Sequence, residues 1–453
     1  MLWLDVIGIR MRDLEERSTQ IKMMVNIYES APETIVCLTE AGDCHHAMDL
    51  LGDDDIQRSL DPSAVGISSV GTPVEALTGF FDQPNWSRSW SIQEIVVSKK
   101  LIVKWETTEI PWSSIIDFTK LRNYLEGLLF PPPPPKIRFA ESPEDVFSSG
   151  WDAIAAIRYL RRKRNARNEI SLTELLFVSR YHKARLPQGR IYSIMGLATG
   201  NQQGDPLLRE DYSLTFAEIY VNVVRYLLLR YRNLNPLSFA SSYRLTDIPE
   251  IPSWVPTWRS NIIEPLSAAV ALSGQPPLYS AGIKSLSPKD SQIEFSSNSA
   301  DLKISGFLIR RIEQQYTQYD ISTREYNWQE IVPELFPDSS SNTPDAQNSS
   351  DVVEAKCFRA HCADQVVGPD GQVYRLGAFE PSYELLKQSR WLREDRGSRV
   401  PVRAMFLSEG GYIGLGPAAA HLGDVIAVLL GASVPFILRP TEEDSEYTLI
   451  GEA

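Results

Sequence analysis

The residues best suited to chemistry lie in one short segment, Trp86-Ser87-Arg88-Ser89-Trp90-Ser91-Ile92-Gln93-Glu94. Helical spacing predicts that its two tryptophans and Gln93 share one side of a helix with Glu94. A carboxylate at the edge of a core has a shifted pKa, so Glu94 could act as a general base or stabilise a developing cation. It could equally hold the fold together by pairing with Arg17 or Arg88. We favour this structural role, because structural ion pairs also perturb carboxylates.

A second candidate carboxylate, Asp5, lies within the apolar run Leu2-Trp3-Leu4-Asp5-Val6-Ile7. A nearly unbroken apolar run is typical of a strand that is covered on both faces in a parallel sheet. Open parallel sheets bind ligands at the carboxyl ends of their strands. Asp5 is therefore either a site residue or the N-cap of a neighbouring helix, and both interpretations remain open.

The residue types that bind metals and cofactors occur without the spacing that such sites need. Cys44, His45 and His46 are adjacent, and Cys357, His361 and Cys362 form a second group. Neither group has the spacing of a tetrahedral zinc site, so no metal is expected. The sequence contains no nucleophile elbow, phosphate-binding glycine loop or dinucleotide fingerprint, and no cofactor is expected.

The composition excludes several classes of partner. The 45 Lys+Arg and 58 Asp+Glu residues give a formal net charge of -13, which repels nucleic acid and anionic lipid. The basic run from Arg158 to Arg167 is expected to be a solvated helix face that pairs with nearby acids, rather than an import signal or anion site. Four cysteines and the lack of a long apolar stretch predict a cytoplasmic protein without a membrane span.

Local signals predict the elements that position the candidate residues. Asp13 and Glu16 have capping-box spacing, so a helix should begin at Leu14 and end before Pro32. The run Thr34–Leu38 is predicted to be a strand parallel to Leu2–Ile7 in a βαβ unit. Further along the chain we predict a helix over 87–98, a strand over 101–105 and a helix over 112–129.

The 453 residues divide into four predicted regions. Residues 1–130 form an α/β domain with a parallel sheet flanked by helices, and 131–150 form a linker that opens with five consecutive prolines. Residues 151–265 are mainly helical. Residues 266–453 are β-rich and contain a predicted disordered insertion at 338–351, which is rich in Ser, Asn and Asp.

The order of these motifs resembles the fungal heterokaryon incompatibility (HET) domain. That family has a Leu-Trp-Ile-Asp strand, a Glu-Arg-Ser helix that ends in Ile-Tyr, and a Trp-x-Arg-x-Trp-x-x-Gln-Glu signature. The segment Arg190–Ala198 resembles the one that closes the domain. The matching residues outside that segment are Trp3, Glu16, Arg17, Gln20, Tyr28, Trp86, Arg88, Trp90 and Gln93.

The chain also departs from the family pattern. The family usually has Cys, Asn and Gln where this chain has Gly8, Arg10 and Met11. Two family acids are replaced by Leu186 and Gly189. An upstream Ser-Tyr-x-Trp-Gly strand is missing, and the last strand stops early. The resemblance therefore implies a copy that is truncated at both ends, with an unpaired sheet edge.

The resemblance implies a role in fungal self/non-self recognition (vegetative incompatibility), in which the domain triggers regulated cell death. It also implies a fold similar to Toll/interleukin-receptor (TIR) domains, with protein partners and homotypic assembly. The alternative is a TIR-like NAD glycohydrolase in which Glu94 and Asp5 stabilise a ribosyl cation. We favour the signalling module, because the lost polar residues and the missing nucleotide fingerprint count against catalysis. An inert remnant is the third possibility.

Overall fold

The computed structural model describes residues 8–10, 12–38, 47–49, 51, 79–118, 150–200, 204–240, 251–258, 279–282, 293–296, 300–316, 360, 365–367, 373–375 and 403–453. The chain forms two compact units, Met1–Ile219 with Trp258–Asn261, and Tyr220–Thr257 with Ile262–Ala453. The division into four regions stays a prediction, and its linker and insertion lie almost wholly outside the described residues.

Helix α1 (Leu14–Ser30) is the first helix of the first unit that lies wholly within the described residues. The Asp13 side chain accepts hydrogen bonds from the backbone N–H groups of Glu15 and Glu16 at 3.1 and 3.0 Å. These bonds satisfy donors that every helix leaves free in its first turn, so the predicted start at Leu14 is confirmed. The helix ends two residues before Pro32, as predicted.

A three-stranded mixed sheet follows, made of β1 (Thr34–Leu38), β2 (Leu101–Trp105) and β3 (Thr108–Pro111). β1 and β2 are parallel, with Thr34 opposite Leu101, whereas β3 returns antiparallel to β2. The predicted strands at 34–38 and 101–105 are therefore confirmed, but the expectation of a purely parallel sheet is wrong for β3. A two-residue turn allows the chain to double back there. The predicted strand at Leu2–Ile7 lies outside the described residues.

Helices of 4 to 16 residues contact this sheet or one another. Bulky side chains fill the core between them, and Trp86, Trp105, Phe80, Phe81 and Tyr192 are almost fully buried. The helices are α2 (Pro84–Ser87), α3 (Ser89–Val96), α4 (Trp112–Phe118), α5 (Gly150–Asn165), α6 (Leu172–Val178) and α7 (Pro187–Met195).

The second unit contains most of helix α8 (Phe216–Tyr231) and a β-rich part. Two small antiparallel hairpins pair β4 (Ile293–Phe295) with β5 (Leu302–Ile304), and β7 (Gln365–Val367) with β8 (Val373–Arg375). The remaining strands are β6 (Gly306–Tyr316), β9 (Arg403–Ser408), β10 (Tyr412–Pro417), β11 (Val425–Leu429), β12 (Phe436–Pro440) and β13 (Tyr447–Glu452).

These six strands form one antiparallel sheet in the order β10-β9-β6-β11-β12-β13. Gly410 and Gly411 have φ values of +80° and +76° in the turn between β9 and β10. Positive φ values of this kind are typical of glycines in tight hairpin turns. Gly414 has a different role, because a Cβ there would lie 2.2 Å from the ring of Phe406 on the opposite strand. The missing side chain lets the aromatic ring pack on the strand.

Candidate functional site

The tryptophan segment forms two short helices instead of the single predicted helix. Arg88 is extended (φ −71°, ψ 130°) and separates α2 from α3. It forms a parallel β-bridge with Lys183, and the Ser89 N–H donates to the Lys183 carbonyl at 2.9 Å. The segment at Lys183 thus binds the Ser89 N–H and the Ser87 carbonyl, which a continuous helix would use for its own hydrogen bonds. The prediction that Trp86 and Trp90 share one helical face is therefore wrong.

Trp86 anchors α2 in the core. Its indole Nε1 donates a hydrogen bond to the Phe80 carbonyl at 2.7 Å, and the two ring centroids lie 5.4 Å apart. The Trp112 ring lies 6.2 Å away on another side. Because the only polar atom of the indole side chain is paired and its ring is enclosed, Trp86 acts as a packing residue.

Gln93 lies at the junction of α1, α3 and α7. It is 1% exposed, and its Nε2 donates to the Tyr192 carbonyl at 3.2 Å. A Cβ on Gly196 would lie 2.7 Å from Val25 Cγ2 and 3.4 Å from Gln93 Nε2, so the three segments meet in close contact. The Oε1 atom of Gln93 has no hydrogen-bond partner among the described residues. A buried acceptor without a hydrogen-bond partner lowers the free energy of unfolding, because its lost hydration is not replaced.

The half-buried Trp90 packs on α7. Its Nε1 would lie 3.5 Å from a Cβ on Gly189, and the same Cβ position is 3.6 Å from Ala184. Gly189 is one of the positions at which this chain departs from the family pattern. Here the absence of a side chain brings the indole ring close to the helix backbone.

Glu94 is half-buried and directly follows Gln93. Its backbone carbonyl accepts a short hydrogen bond from Ser98 Oγ, which also donates to Thr34 Oγ1 at 2.7 Å. Arg17, one proposed partner of its carboxylate, stacks its guanidinium 3.9 Å from the centroid of the Tyr212 ring. Pairing of the Glu94 carboxylate with Arg17 or Arg88 stays a prediction, as does the catalytic role. Asp5 and Trp3 lie outside the described residues.

Arg161, part of the basic run on α5, binds backbone carbonyls at the C-terminal end of α3. The Arg161 guanidinium donates to the carbonyls of Ile95, Val96 and Lys99. Burial lowers the pKa of Arg161, yet its charge lies where the α3 dipole is negative. Lys163 pairs with Glu174 at 2.7 Å, and Arg164 pairs with Glu29 at 2.9 Å. The expectation that this run pairs with acids is confirmed for these two residues.

The remaining motif residues of α1 have structural positions. Glu16 lies in the first turn, where its carboxylate accepts a hydrogen bond from the Arg10 N–H at 3.3 Å. Arg17 is buried, whereas Gln20 and Tyr28 are half-buried. Burial raises the pKa of Tyr212 to about 12, and the charge of Arg17 opposes that shift. Arg17 thus belongs to a packed contact rather than to an open site.

One buried titratable residue was missed by the sequence analysis. His182 is 1% exposed and precedes Lys183, the residue that bridges to Arg88. Burial lowers the pKa of its imidazole to about 3, which the Ser179 backbone opposes and the positive Arg190 reinforces. The sequence Tyr181-His182-Lys183 does not predict that the histidine is buried, because a single histidine has no spacing pattern to interpret.

The described residues contain no group of three His, Cys, Asp or Glu side chains that could hold a metal ion. The two Cys/His groups noted in the sequence lie outside those residues. Within the same ranges, no helix has both the length and the apolar character needed to cross a membrane.

Comparisons with known proteins identify two regions of similarity. Residues 1–94 match the family described as heterokaryon incompatibility protein (HET), and residues 395–453 match the Het-6 beta-barrel domain. The chain is similar to heterokaryon incompatibility protein 6, OR allele, of Neurospora crassa. The identity is 24% over 560 aligned residues, covering 100% of this chain and 80% of that protein. No solved structure matches the chain.

Proposed function

We propose that this chain, a HET-domain protein, acts in heterokaryon incompatibility as a signalling and interaction module that starts regulated cell death. The observation that carries the proposal is the family match over residues 1–94, which ends at Glu94 and includes the whole tryptophan segment. The similarity to the Neurospora protein over the entire chain supports the same process.

The positions of the signature residues favour a module over an enzyme. Trp86 and Gln93 are buried, and their side-chain N–H groups, Trp86 Nε1 and Gln93 Nε2, donate hydrogen bonds to backbone carbonyls. The backbone of Arg88 separates two helices and forms a β-bridge with Lys183. Side chains that are engaged in this way fix the shape of a domain and are not free to bind a substrate. A fixed shape is what recognition by a protein partner requires.

The finer features of the proposal come from the family resemblance. We expect a TIR-like arrangement of the N-terminal domain, protein partners that include further copies of that domain, and action in the cytoplasm. The parallel pair β1–β2, with α3 in contact with both β1 and α1, is compatible with such an arrangement.

The enzymatic alternative rests on Glu94, whose half-buried side chain keeps some solvent access at the end of the matched region. In that mechanism the carboxylate would stabilise the positive charge that develops on the ribose as nicotinamide leaves NAD. Asp5 would assist it.

Expression of the full chain in a fungal host would separate these functions. We would compare the chain with Glu94→Gln, which removes the charge but keeps the shape, and with Glu313→Gln, an exposed control on β6. Viability and cellular NAD are the two measurements. Cell death that both variants retain, without loss of NAD, is the expected result.

Loss of NAD that Glu94→Gln abolishes and Glu313→Gln retains would overturn the proposal in favour of the hydrolase. A chain that is folded by circular dichroism and affects neither viability nor NAD would also overturn it, in favour of the inert remnant.

A further inference from the structure

One stretch of the central strand β6 is open on one side. β6 pairs with β11 along Gly306–Arg311, but β9 pairs with β6 only from Ile312 onwards. The pairing on the β9 side ends at Glu409, whose N–H donates to the Arg311 carbonyl at 3.0 Å and whose carboxylate accepts from the Arg311 N–H at 3.2 Å. Within the described part of the chain, residues 306–310 have no strand partner on that side. We call this stretch the open edge.

The open edge carries the most concentrated exposed apolar surface on the described strands. Phe307, Leu308 and Ile309 are consecutive and are 60%, 54% and 48% exposed. An exposed apolar strand edge is a template for pairing with another strand, and proteins normally protect such edges with charge, proline or covering chain. Here the apolar residues occupy the edge itself, and only Arg310 adds charge at one end.

We propose that the open edge is an interface at which two copies of this chain pair through antiparallel β6 strands. The sequence of the edge is complementary to itself in one register. Centred on Leu308, antiparallel pairing places Leu308 opposite Leu308 and Phe307 opposite Ile309 of the second copy. Aromatic and β-branched residues in directly opposed positions form a favourable cross-strand pair.

The same register also keeps the positive charges of the two open edges apart. Arg310 lies opposite Gly306 of the second copy, which has no side chain, so the two arginines lie at opposite ends of the paired region. Parallel pairing would instead place the arginines side by side, where like charges destabilise a sheet. The antiparallel arrangement is two-fold symmetric and closes after two copies, as in most homodimers.

This inference concerns the second unit and goes beyond the proposed signalling function, which rests on residues 1–94. The rival occupant is the chain's own stretch between β6 and β9, which would cover the edge within one copy and leave the protein monomeric. A second copy is the occupant that the self-complementary sequence of the edge favours.

Sedimentation velocity of the full chain over a wide range of concentration tests the interface. We expect a monomer–dimer equilibrium that Leu308→Lys weakens about tenfold or more, because two lysines would then face each other. Leu422→Lys is the matched control, since Leu422 is also an exposed leucine of the second unit, at 66% exposure. It should dimerise like the unaltered chain. A chain that stays monomeric, or two variants that lose dimerisation equally, would overturn the proposal.

A cysteine variant tests the register. Leu308→Cys would oppose itself across the two-fold axis with Cα atoms about 4.5 to 5.5 Å apart, within the range of a disulfide. Mild oxidation should therefore produce a covalent dimer of this variant. The unaltered chain, which has an exposed Cys37, and Leu422→Cys measure the background. Cross-linking of Leu308→Cys no greater than that background would contradict the antiparallel pairing centred on Leu308.

Discussion

At the scale of single residues, the family signature proves to be a set of packing and hydrogen-bonding groups. Gln93 bonds to the Tyr192 carbonyl and Trp86 bonds to the Phe80 carbonyl. Arg161, which lies outside the signature, joins the end of α3 to α5. His182, whose pKa is lowered by burial to about 3, does not belong to the signature. It directly precedes Lys183, the residue that bridges to Arg88.

His182 should make the protein less stable in mild acid. Its imidazole titrates near its ordinary pKa of 6.5 in the unfolded chain and at about 3 in the folded chain. Between these values the unfolded state binds more protons, so the free energy of unfolding falls as the pH falls below 6.5. The loss should reach about 2 kcal/mol near pH 5.

Denaturant unfolding as a function of pH measures this effect. His182→Leu should lose part of the acid sensitivity, whereas His421→Leu, which changes an exposed histidine, should keep it. An unchanged pH dependence in His182→Leu would mean that the buried imidazole is not its source.

At the scale of elements, α1 is a helix whose start is set by its own sequence. The cap at Asp13 uses only neighbouring residues. We expect Asp13→Ala to lower the free energy of unfolding by about 1 kcal/mol, because two N–H groups lose their acceptor. Asp13→Asn retains an acceptor oxygen and should cost much less. Equal losses in the two variants would show that the charge, and not the hydrogen bonds, provides the stability.

The contact between α1 and α7 depends on Gly196. A Cβ at this position would lie 2.7 Å from Val25 Cγ2. Gly196→Ala should therefore destabilise the chain by about 1 to 3 kcal/mol. Gly79→Ala is the control, because among the described residues, its chain neighbours aside, no atom lies within 4 Å of its Cβ position.

A double-mutant cycle identifies the cause. Val25→Ala removes the methyl group that the new Cβ would meet. The double variant should therefore lose about 1 kcal/mol less of its free energy of unfolding than the two single losses added together. Additive losses would show that Gly196 is needed for a reason other than this contact.

The elements also show where the sequence is sufficient and where it fails. Helix α1, strands β1 and β2 and the glycine turn before β10 follow from local signals such as Asp13, Pro32 and Gly410. The break at Arg88 does not, because its cause is Lys183, far along the chain. Sequence periodicity favours one continuous helix there. The candidate site has the same limit, since the family signature identified Gln93 but nothing local identified Tyr192 as its partner.

At the scale of the whole molecule, each unit has its own core, and in the second unit a partly buried ion pair joins β12 to the residue before β11. Asp424, whose side chain is 3% exposed, binds Arg439 at 2.9 Å. Arg439→Met would leave that carboxylate buried without its cation, and we expect a loss of about 3 kcal/mol. Hydrogen exchange of β11 to β13 should become faster.

The surface pair Lys303–Glu294 provides the comparison. Its atoms lie 3.4 Å apart and its side chains are 82% and 55% exposed. Lys303→Met should change the free energy of unfolding by less than about 0.5 kcal/mol. If both variants had similar small effects, the Asp424–Arg439 pair would contribute no more than an ordinary surface contact.

The bond between Gln93 and Tyr192 joins residues 99 positions apart, and this has a consequence for biosynthesis. A ribosome adds about 5 to 20 residues per second, so the tryptophan segment waits roughly 5 to 20 seconds for its partner to be made. During that interval the nascent polypeptide exposes indole rings and an amide that the finished protein encloses. Chaperones that recognise such surfaces would find Trp86 and Trp90 accessible during that interval.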